Sequence, residues 1–391
     1  MTGTDVVVVG GGIAGASIAW ELARRGTRVT LFEQANLGAG ASGRNTGTLL
    51  HQTEPEVAEM LSSSEESYRE LEGGDVDFFW TSRDEALIAR DERQLRVIAA
   101  KGEHFAARGV AVETLDGDEL RAAFPAFGPG VLGGRVLAGA STVDAEAATR
   151  AFAEAARGAG AAIRTGVRAA QVRTAGGRVT GVLTDAGPVA ADAVVLATGP
   201  WLTELLPFAP LRPGRGWLMR TQRLAFAVPW IVEEVSWPDQ RVLGEAARPV
   251  ALADLAAGRI DEPIGECFLI CPLPGGDALI GASLATSLRD AVEGIGMPQR
   301  VAGRALELAP GLARAVAVTR AWSGLRPMTP DGIPLAGPAG PDGLFVHGGH
   351  ASLGMQAAPA TAAWLAADMH GETVPRTYAA LRPDRFERSA A

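Results

Sequence analysis

A glycine-rich turn between two apolar segments constrains the fold of this chain more than any other feature. Residues Asp5 to Gly10 form an apolar, β-branched run of the kind found in strands buried on both faces. Residues Ile13 to Arg25 carry helix formers and end at Gly26, and Arg28 to Glu33 predicts the next strand. This strand–helix–strand order predicts a parallel sheet with a right-handed crossover.

The turn itself has the glycine spacing of a dinucleotide site. Its G-x-G-x-x-G pattern permits a tight turn, the approach of a pyrophosphate and close helix–strand packing, and the helix N-terminus adds free N–H groups. The acid that ends the second strand is placed to accept hydrogen bonds from ribose hydroxyls and disfavours NADP. The residues predicted to contact the dinucleotide are Gly10, Gly12, Ile13, Ala14, Gly15, Glu33 and Gln34.

NAD and FAD share this fingerprint, so the choice between them depends on the segment after the second strand. Residues 38–47 in that segment are small, polar and glycine-rich, which suits a path beside an extended pyrophosphate and isoalloxazine. Arg44 would contribute charge or donors there, although an ordinary solvated arginine fits the residue type equally well. The flavin contacts predicted in this segment are Ser42, Arg44, Asn45 and Thr46.

The composition limits the class of protein. A chain of 391 residues is too long for one compact core and suits two joined domains, and an apolar fraction of 47% implies well-filled interiors. The net charge of -9 argues against nucleic acid as a partner. No stretch is apolar enough for a transmembrane segment and the N-terminus shows no leader, so we expect a cytoplasmic protein.

The two cysteines, Cys267 and Cys271, support neither a disulfide nor a metal site. On a strand they share a face but lie about 13 Å apart, which is too far for a disulfide. No histidine stands near them in the sequence, so no metal is expected.

The remaining chain alternates helical and strand-like segments. The predicted helices are 54–72, 91–108, Asp144 to Ala159 and Gln356 to Met369. The predicted strands are 193–197, 344–347 and a pair at 162–173 and 178–184 with a turn at Gly176 and Gly177. From about 215 to 290, alternating strands with Pro and Gly breaks predict a separate, mostly antiparallel sheet.

Motifs spread over residues 5–365 occur in the order of one known family. They are the opening Val-Val-Val-Gly-Gly-Gly-Ile-Ala-Gly, Ala-Ser-Gly-Arg-Asn-x-Gly, Ala-Thr-Gly-Pro-Trp at 197–201, Gly-Leu-Arg-Pro-Met-Thr-Pro-Asp-Gly at 324–332, Gly-His at 349–350 and Ala-Pro-Ala-Thr at 358–361. In combination they resemble the D-amino acid oxidase-like family of FAD-dependent oxidoreductases, which includes glycine oxidases, sarcosine oxidases and D-amino acid dehydrogenases.

The resemblance implies an α/β fold with two domains. A discontinuous, Rossmann-like FAD-binding domain would comprise residues 1–80, 142–214 and 317–391. A second, α+β substrate domain built on a mostly antiparallel sheet would comprise residues 81–141 and 215–316.

The resemblance also implies roles for single residues. Val167 is similar to the position that touches adenine through its backbone, and Arg326 is similar to the residue that pairs with the substrate carboxylate. The turn that wraps the pyrimidine edge of the flavin would comprise Gly349, His350, Gly354 and Met355. The other cofactor-binding residues carried over are Ala197, Gly199, Trp201, Gly324 and Arg326.

The chain departs from its relatives at two places. Relatives that attach FAD covalently have a cysteine where this chain has Gly324, so we expect noncovalent FAD. Many relatives place a tyrosine over the substrate, but the only tyrosines here are Tyr68 and Tyr378, in an early helix and after the last helix, so that lid residue is expected to be missing.

The predicted chemistry needs positioning more than acid–base groups. A planar guanidinium binds a carboxylate bidentately, which makes Arg326 the anchor for the substrate, with an internal ion pair to Asp331 as the alternative. His350 and His51 are the other catalytic candidates, and packing or solvation is the alternative for each.

These features predict FAD-dependent oxidation of an amino acid or small amine at its C–N bond, by hydride transfer to flavin N5, giving an imine that hydrolyses. The alternatives are a flavin subunit of a multi-subunit dehydrogenase complex and a tailoring enzyme in natural-product biosynthesis.

The only lysine, Lys101, is expected on the surface, away from the flavin. Because a cation near the flavin helps oxygen react, we expect a dehydrogenase that uses a quinone or an electron-accepting protein.

Overall fold

The computed structural model describes residues 5–207, 209–235, 265–284, 296–315 and 317–386. Within these residues the strands form sheets of six and eight strands and two smaller sheets of three. The α-helices are α1 (Ile13–Arg24), α2 (Pro55–Leu71), α3 (Glu92–Ala106), α4 (Gly117–Ala123), α5 (Ala145–Gly158), α6 (Leu202–Leu205), α7 (Met297–Leu308), α8 (Leu312–Ala315) and α9 (Gly354–His370). None of the helices described is long and apolar enough to cross a membrane.

The six-stranded sheet contains the predicted strand–helix–strand unit. Its strands, in spatial order, are β19 (Leu335–Pro338), β20 (Leu344–Gly348), β13 (Ala193–Leu196), β1 (Asp5–Val9), β2 (Arg28–Glu33) and β9 (Ala162–Thr165). All neighbours are parallel except β19 and β20. Val6 and Val8 pack into a cluster with α1, α5 and α9, whereas Val7 and Val9 pack into a cluster on the opposite face. Burial on both faces explains why β1 is apolar throughout.

The eight-stranded sheet forms the second layer. Its strands, in spatial order, are β18 (Val318–Met328), β14 (Arg212–Thr221), β17 (Ala278–Leu284), β16 (Gly265–Pro272), β15 (Ile231–Glu234), β5 (Glu85–Ala89), β7 (Gly133–Leu137) and β6 (Val112–Asp116). Every pairing is antiparallel except β15 with β5, which confirms the mostly antiparallel sheet. Part of the predicted stretch, residues 236–264 and 285–290, lies outside the described residues.

Two small sheets flank these layers. Their strands are β10 (Ala169–Ala175), β11 (Arg178–Thr184) and β12 (Gly187–Ala190) in one, and β3 (Thr48–Leu49), β8 (Ser141–Thr142) and β4 (Thr81–Ser82) in the other. The turn at Gly176 and Gly177 joins β10 to β11, and both glycines have positive φ. The single strand predicted over 162–173 is wrong, because its first part is β9, which pairs with β2 in the six-stranded sheet.

The boundary predicted at residue 317 also separates two paired strands. β18 pairs with β14 from Arg212 opposite Met328 to Thr221 opposite Val318. Because this continuous ladder belongs to the eight-stranded sheet, we propose that the second domain extends to about residue 328, and that its other boundary lies before β14.

Candidate flavin and substrate site

One cavity of about 770 Å³ runs from the carboxyl ends of β1 and β2 to one face of the eight-stranded sheet. Its volume falls within the range of roughly 300–1,000 Å³ that is usual for ligand pockets. All of the predicted cofactor-binding and catalytic residues line it except Gly15 and Gly349. The structure therefore brings together predicted residues that the sequence spreads from position 10 to position 355.

The glycines of the first turn have separate physical roles. Gly10 has a φ of +112°, and a Cβ there would collide with the carbonyl oxygen of Ala197. A Cβ at Gly15 would collide with the carbonyl oxygen of Gly10, so this glycine permits α1 to pack on the turn and lies behind the cavity wall. A Cβ at Gly12 would lie 2.9 Å from Ser42 Oγ, and the approach of a pyrophosphate to the backbone here stays a prediction.

Glu33 is fixed at the end of β2 by two backbone donors. Gly11 N–H donates to one carboxylate oxygen at 2.6 Å and Ala35 N–H donates to the other at 2.8 Å. The N–H of Val167 donates to the Glu33 carbonyl at 3.0 Å, which places Val167 on the same rim of the cavity. The carboxylate is thus held where the sequence predicts a ribose.

Arg44 ties the second glycine-rich segment to the eight-stranded sheet. Its guanidinium donates to the carbonyls of Ala39, at 3.0 Å, and Ser323, at 3.2 Å. The indole N–H of Trp322 donates in return to the Arg44 carbonyl at 3.3 Å. Arg44 is exposed to solvent but bonded to the backbone of both segments, and its role beside the flavin stays a prediction.

Arg326 presents a cation to the cavity from β18. Its side chain is half-buried, and its Nη1 donates to the carbonyl of Ser283 at 2.9 Å. Burial lowers the pKa of the guanidinium, and among the described residues the only titratable group that opposes this effect is the Cys267 thiol. The predicted alternative is wrong, because Asp331 is bound instead by Arg385 at 2.7 Å. A half-buried cation with no carboxylate partner among the described residues favours an anionic ligand.

The two buried histidines form a polar network with Thr361. Nε2 of His347 and Nε2 of His350 each lie 2.9 Å from Thr361 Oγ1, and both rings are nearly inaccessible to solvent. Burial lowers the pKa of His347 to about 4 and that of His350 well below its ordinary value, so both rings are neutral. Nδ1 of His347 must then carry the proton that it donates to the Ala14 carbonyl. These contacts favour a structural role for the His350 ring.

His51 lies in the cavity wall where β3 has ended. Its Nε2 is 2.9 Å from the Ala138 carbonyl oxygen, and its ring centroid is 5.4 Å from that of Phe105. Its backbone N–H donates to the side chain of Glu85 at 3.3 Å. The ring is therefore held by packing and by one carbonyl, and a catalytic role for it stays a prediction.

The charged residues of the cavity wall that the sequence did not predict include Glu85, Lys101 and Glu233. The expectation that Lys101 lies on the surface is wrong, because it is half-buried in α3 and its charge acts on both carboxyls. A lone acid in the apolar strand Glu-Ala-Leu-Ile-Ala was the available signal, since such a carboxyl is rarely buried without a role.

The family model described as DAO, FAD dependent oxidoreductase, matches residues 5–368. The chain belongs to this family. The D-amino acid dehydrogenase of Methylobacterium nodulans is 31% identical, over 89% of this chain and 91% of that protein. The glycine oxidase of Geobacillus kaustophilus is 30% identical, over 91% of this chain and 90% of that protein. A crystal structure of glycine oxidase from Geobacillus kaustophilus superposes with a TM-score of 0.81 at 25% identity, over 98% of this chain and 99% of that chain.

As a member of the FAD dependent oxidoreductases, the chain binds FAD, and its cavity fits that cofactor. The N-terminus of α1 lines the cavity and turns its positive end toward it, which favours phosphates, while the first N–H of the helix, that of Ile13, donates to Ser42 Oγ at 2.9 Å. Glu33 lies where the sequence predicts the ribose. A Cβ at Gly324 would lie 3.2 Å from the Cβ and 3.5 Å from the carbonyl oxygen of Arg44. The individual contacts with FAD remain predictions.

Proposed function

We propose that this flavoprotein oxidises an amino acid, or a small amine that carries a carboxylate, at its C–N bond. The observation that carries the proposal is the half-buried Arg326 guanidinium, which faces the cavity without a carboxylate partner among the described residues. A substrate carboxylate would complete its bonding bidentately. The relatives named D-amino acid dehydrogenase and glycine oxidase support the same substrate class.

The residues of this chain would act by positioning. Arg326 would bind the carboxylate and fix the Cα–H of the substrate in one direction. Leu218, Leu269 and Leu284 line the neighbouring part of the cavity and would exclude water from the reacting bond. FAD supplies the acceptor for the two electrons and the hydrogen removed from Cα. The substrate leaves as an imine, which water hydrolyses to a carbonyl compound and the free amine.

The experiment that tests the proposal is anaerobic mixing of the purified holoenzyme with glycine and with D-, L- and N-methyl amino acids. Members of the substrate class should bleach the oxidised-flavin absorbance within a turnover. If none of them bleaches the flavin, while dithionite does, the proposed substrate class is wrong.

We further propose that a quinone or a protein, rather than oxygen, accepts the electrons, and that the enzyme works in the cytoplasm. The dehydrogenase among the relatives supports the first point, although oxidases occur among them too. Co-purification and size-exclusion chromatography would test whether the chain is instead a subunit of a larger dehydrogenase complex. Cell fractionation would test the location.

A further inference from the structure

The far end of the substrate cavity carries its own charged cluster. Glu85 on β5, Glu233 on β15 and Lys101 on α3 line the same cavity as Arg326. Only 3% of Glu85 is exposed to solvent. The cluster is a part of the site that the proposed function, with its single carboxylate anchor, does not use.

The two glutamates project from the same face of the sheet. β5 and β15 are parallel neighbours, with Glu85 opposite Ile231 and Leu87 opposite Glu233. The glutamates are therefore two register positions apart, and side chains two positions apart share a face. Both belong to the face that forms the cavity wall, so their carboxyl groups converge on one region of it.

The charges of the cluster do not balance when both carboxyls are ionised. Burial raises the pKa of both glutamates, and burial together with the charge of Glu233 raises that of Glu85 to about 8. Lys101 lowers the pKa of each, and the His51 N–H lowers that of Glu85. One ammonium thus serves two carboxyls, and a second cation would let both ionise.

The strand order sets the distance between the cluster and Arg326. The guanidinium reaches Ser283 on β17, and β15 and β5 are two and three strands further along the sheet, which is about 10 and about 14 Å at the usual strand spacing. Between them the wall is apolar, with Leu269 directly opposite Glu233 in the register. The wall thus runs from a cation through apolar surface to a pair of acids.

We propose that the substrate is an amino acid whose side chain ends in a cation, an amine or a guanidinium, which Glu85 and Glu233 bind while Arg326 holds the carboxylate. This inference rests on the proposed function, because it assigns the other end of the same substrate. The apolar stretch between the charges accommodates the methylene groups of such a side chain. Lys101 repels the cation from its own side and so directs it to the carboxyls.

The release of a proton from Glu85 on binding of a cationic substrate gives a second way to test the proposal. A cationic side chain favours the ionised form of Glu85, so its binding displaces the proton that this carboxyl holds below pH 8. The preference for a cationic over a neutral side chain therefore grows between pH 6 and pH 8. The ratio of two kcat/KM values isolates this effect, because deprotonation of the substrate α-amine affects both substrates alike.

The test compares arginine with citrulline and lysine with norleucine, in both enantiomers, by anaerobic flavin bleaching and steady-state kinetics. We expect kcat/KM to be about 10- to 100-fold higher for the cationic member of each pair, mainly through KM. Glu85→Gln and Glu233→Gln should each remove most of that preference while norleucine is still oxidised. The control is Glu113→Gln, which changes an exposed acid on β6 of the same sheet and should keep the wild-type ratio.

The outcomes separate the two claims. Oxidation of norleucine and citrulline with no preference for the cationic partners overturns this inference alone. A preference that survives in both glutamine variants also overturns it. If no amino acid of either kind bleaches the flavin, the proposed function fails, and the inference fails with it. Flavin retention and circular dichroism establish that each variant is folded, and the two variants test the cluster independently.

Discussion

The guanidinium of Arg326 lies over Gly216, so that a Cβ at Gly216 would collide with Nη1. Gly216 is opposite Gly324 in the β14–β18 ladder, and Arg326 stands two residues further along β18. A glycine on one strand thus makes the space for the cation of the next. Substitution at either residue should perturb the same function.

Gly216→Ala should displace the guanidinium and raise KM for amino acids, while the protein keeps FAD and its fold. Arg326→Ala should have the larger effect, a loss in kcat/KM worth about 2–5 kcal/mol, because the carboxylate is left without its partner. Steady-state kinetics with the best substrate of the panel measures both. Arg320→Ala, which changes an exposed arginine of the same strand, is the control and should retain wild-type kinetics. Near-normal kcat/KM in Arg326→Ala would remove the anchor role.

The sequence predicted those parts of the site whose signals are local. The glycines at positions 10, 12 and 15 predict a turn through their spacing alone, although the atoms that exclude a Cβ at Gly10 and Gly12 belong to Ala197 and Ser42, far along the chain. Glu33 follows from the length of the strand–helix–strand unit. The anchor role of Arg326 could be predicted only from the resemblance to a family, because residue type alone allowed an ion pair with Asp331 as well.

Other parts could not be predicted because separate elements assemble them. Glu85, Lys101 and Glu233 are far apart in the chain and meet only through the order of strands in the eight-stranded sheet. A polar neighbourhood in α3 indicated a surface position for Lys101, but the burial of a helix face depends on its partner. The prediction also placed β9 in the strand pair with residues 178–184, although β9 pairs with β2. An apolar alternation predicts a strand but does not specify the neighbouring strand.

Denaturation should release intact FAD into the supernatant, because Gly324 offers no side chain for covalent attachment. Acid precipitation followed by absorbance and fluorescence of both fractions measures this. Yellow colour that stays with the polypeptide would contradict the prediction. Cys267→Ser would then identify whether the thiol in the cavity wall is the point of attachment.

The free energy of unfolding should decrease as the pH rises, because of Glu85. Burial raises its pKa from 4.5 to about 8, so between these values the native protein binds more protons than the unfolded chain. The free energy of unfolding therefore decreases as pH rises through this window, by an amount on the order of a few kcal/mol. Glu85→Gln, which cannot ionise, should lose less, whereas Glu113→Gln should follow the wild type. Denaturant unfolding of the holoenzymes from pH 5 to pH 8 measures the slopes, and parallel slopes for wild type and Glu85→Gln would refute the assignment.

Oxygen should reoxidise the reduced enzyme more slowly than a soluble quinone. Lys101 lies in the cavity wall beside Glu85 and Glu233, and ionisation of either carboxyl would reduce the positive field that favours superoxide. Stopped-flow mixing of the substrate-reduced enzyme with air-saturated buffer and with quinone measures the two rates. Reoxidation by oxygen at a rate equal to turnover would show that the enzyme is an oxidase. A slower reaction with oxygen in Lys101→Met would then show that the lysine promotes that reaction.

The most direct test of the account compares an amino acid with the amine formed by removing its carboxylate. Under anaerobic conditions we predict that the amino acid bleaches the flavin of the wild-type enzyme rapidly, whereas the matched amine does so at least about 30-fold more slowly, the lower bound set by loss of the Arg326 contact. In Arg326→Ala the two should react at similar rates. Equal bleaching of the wild-type flavin by both compounds would contradict the claim that this cavity is built around a substrate carboxylate.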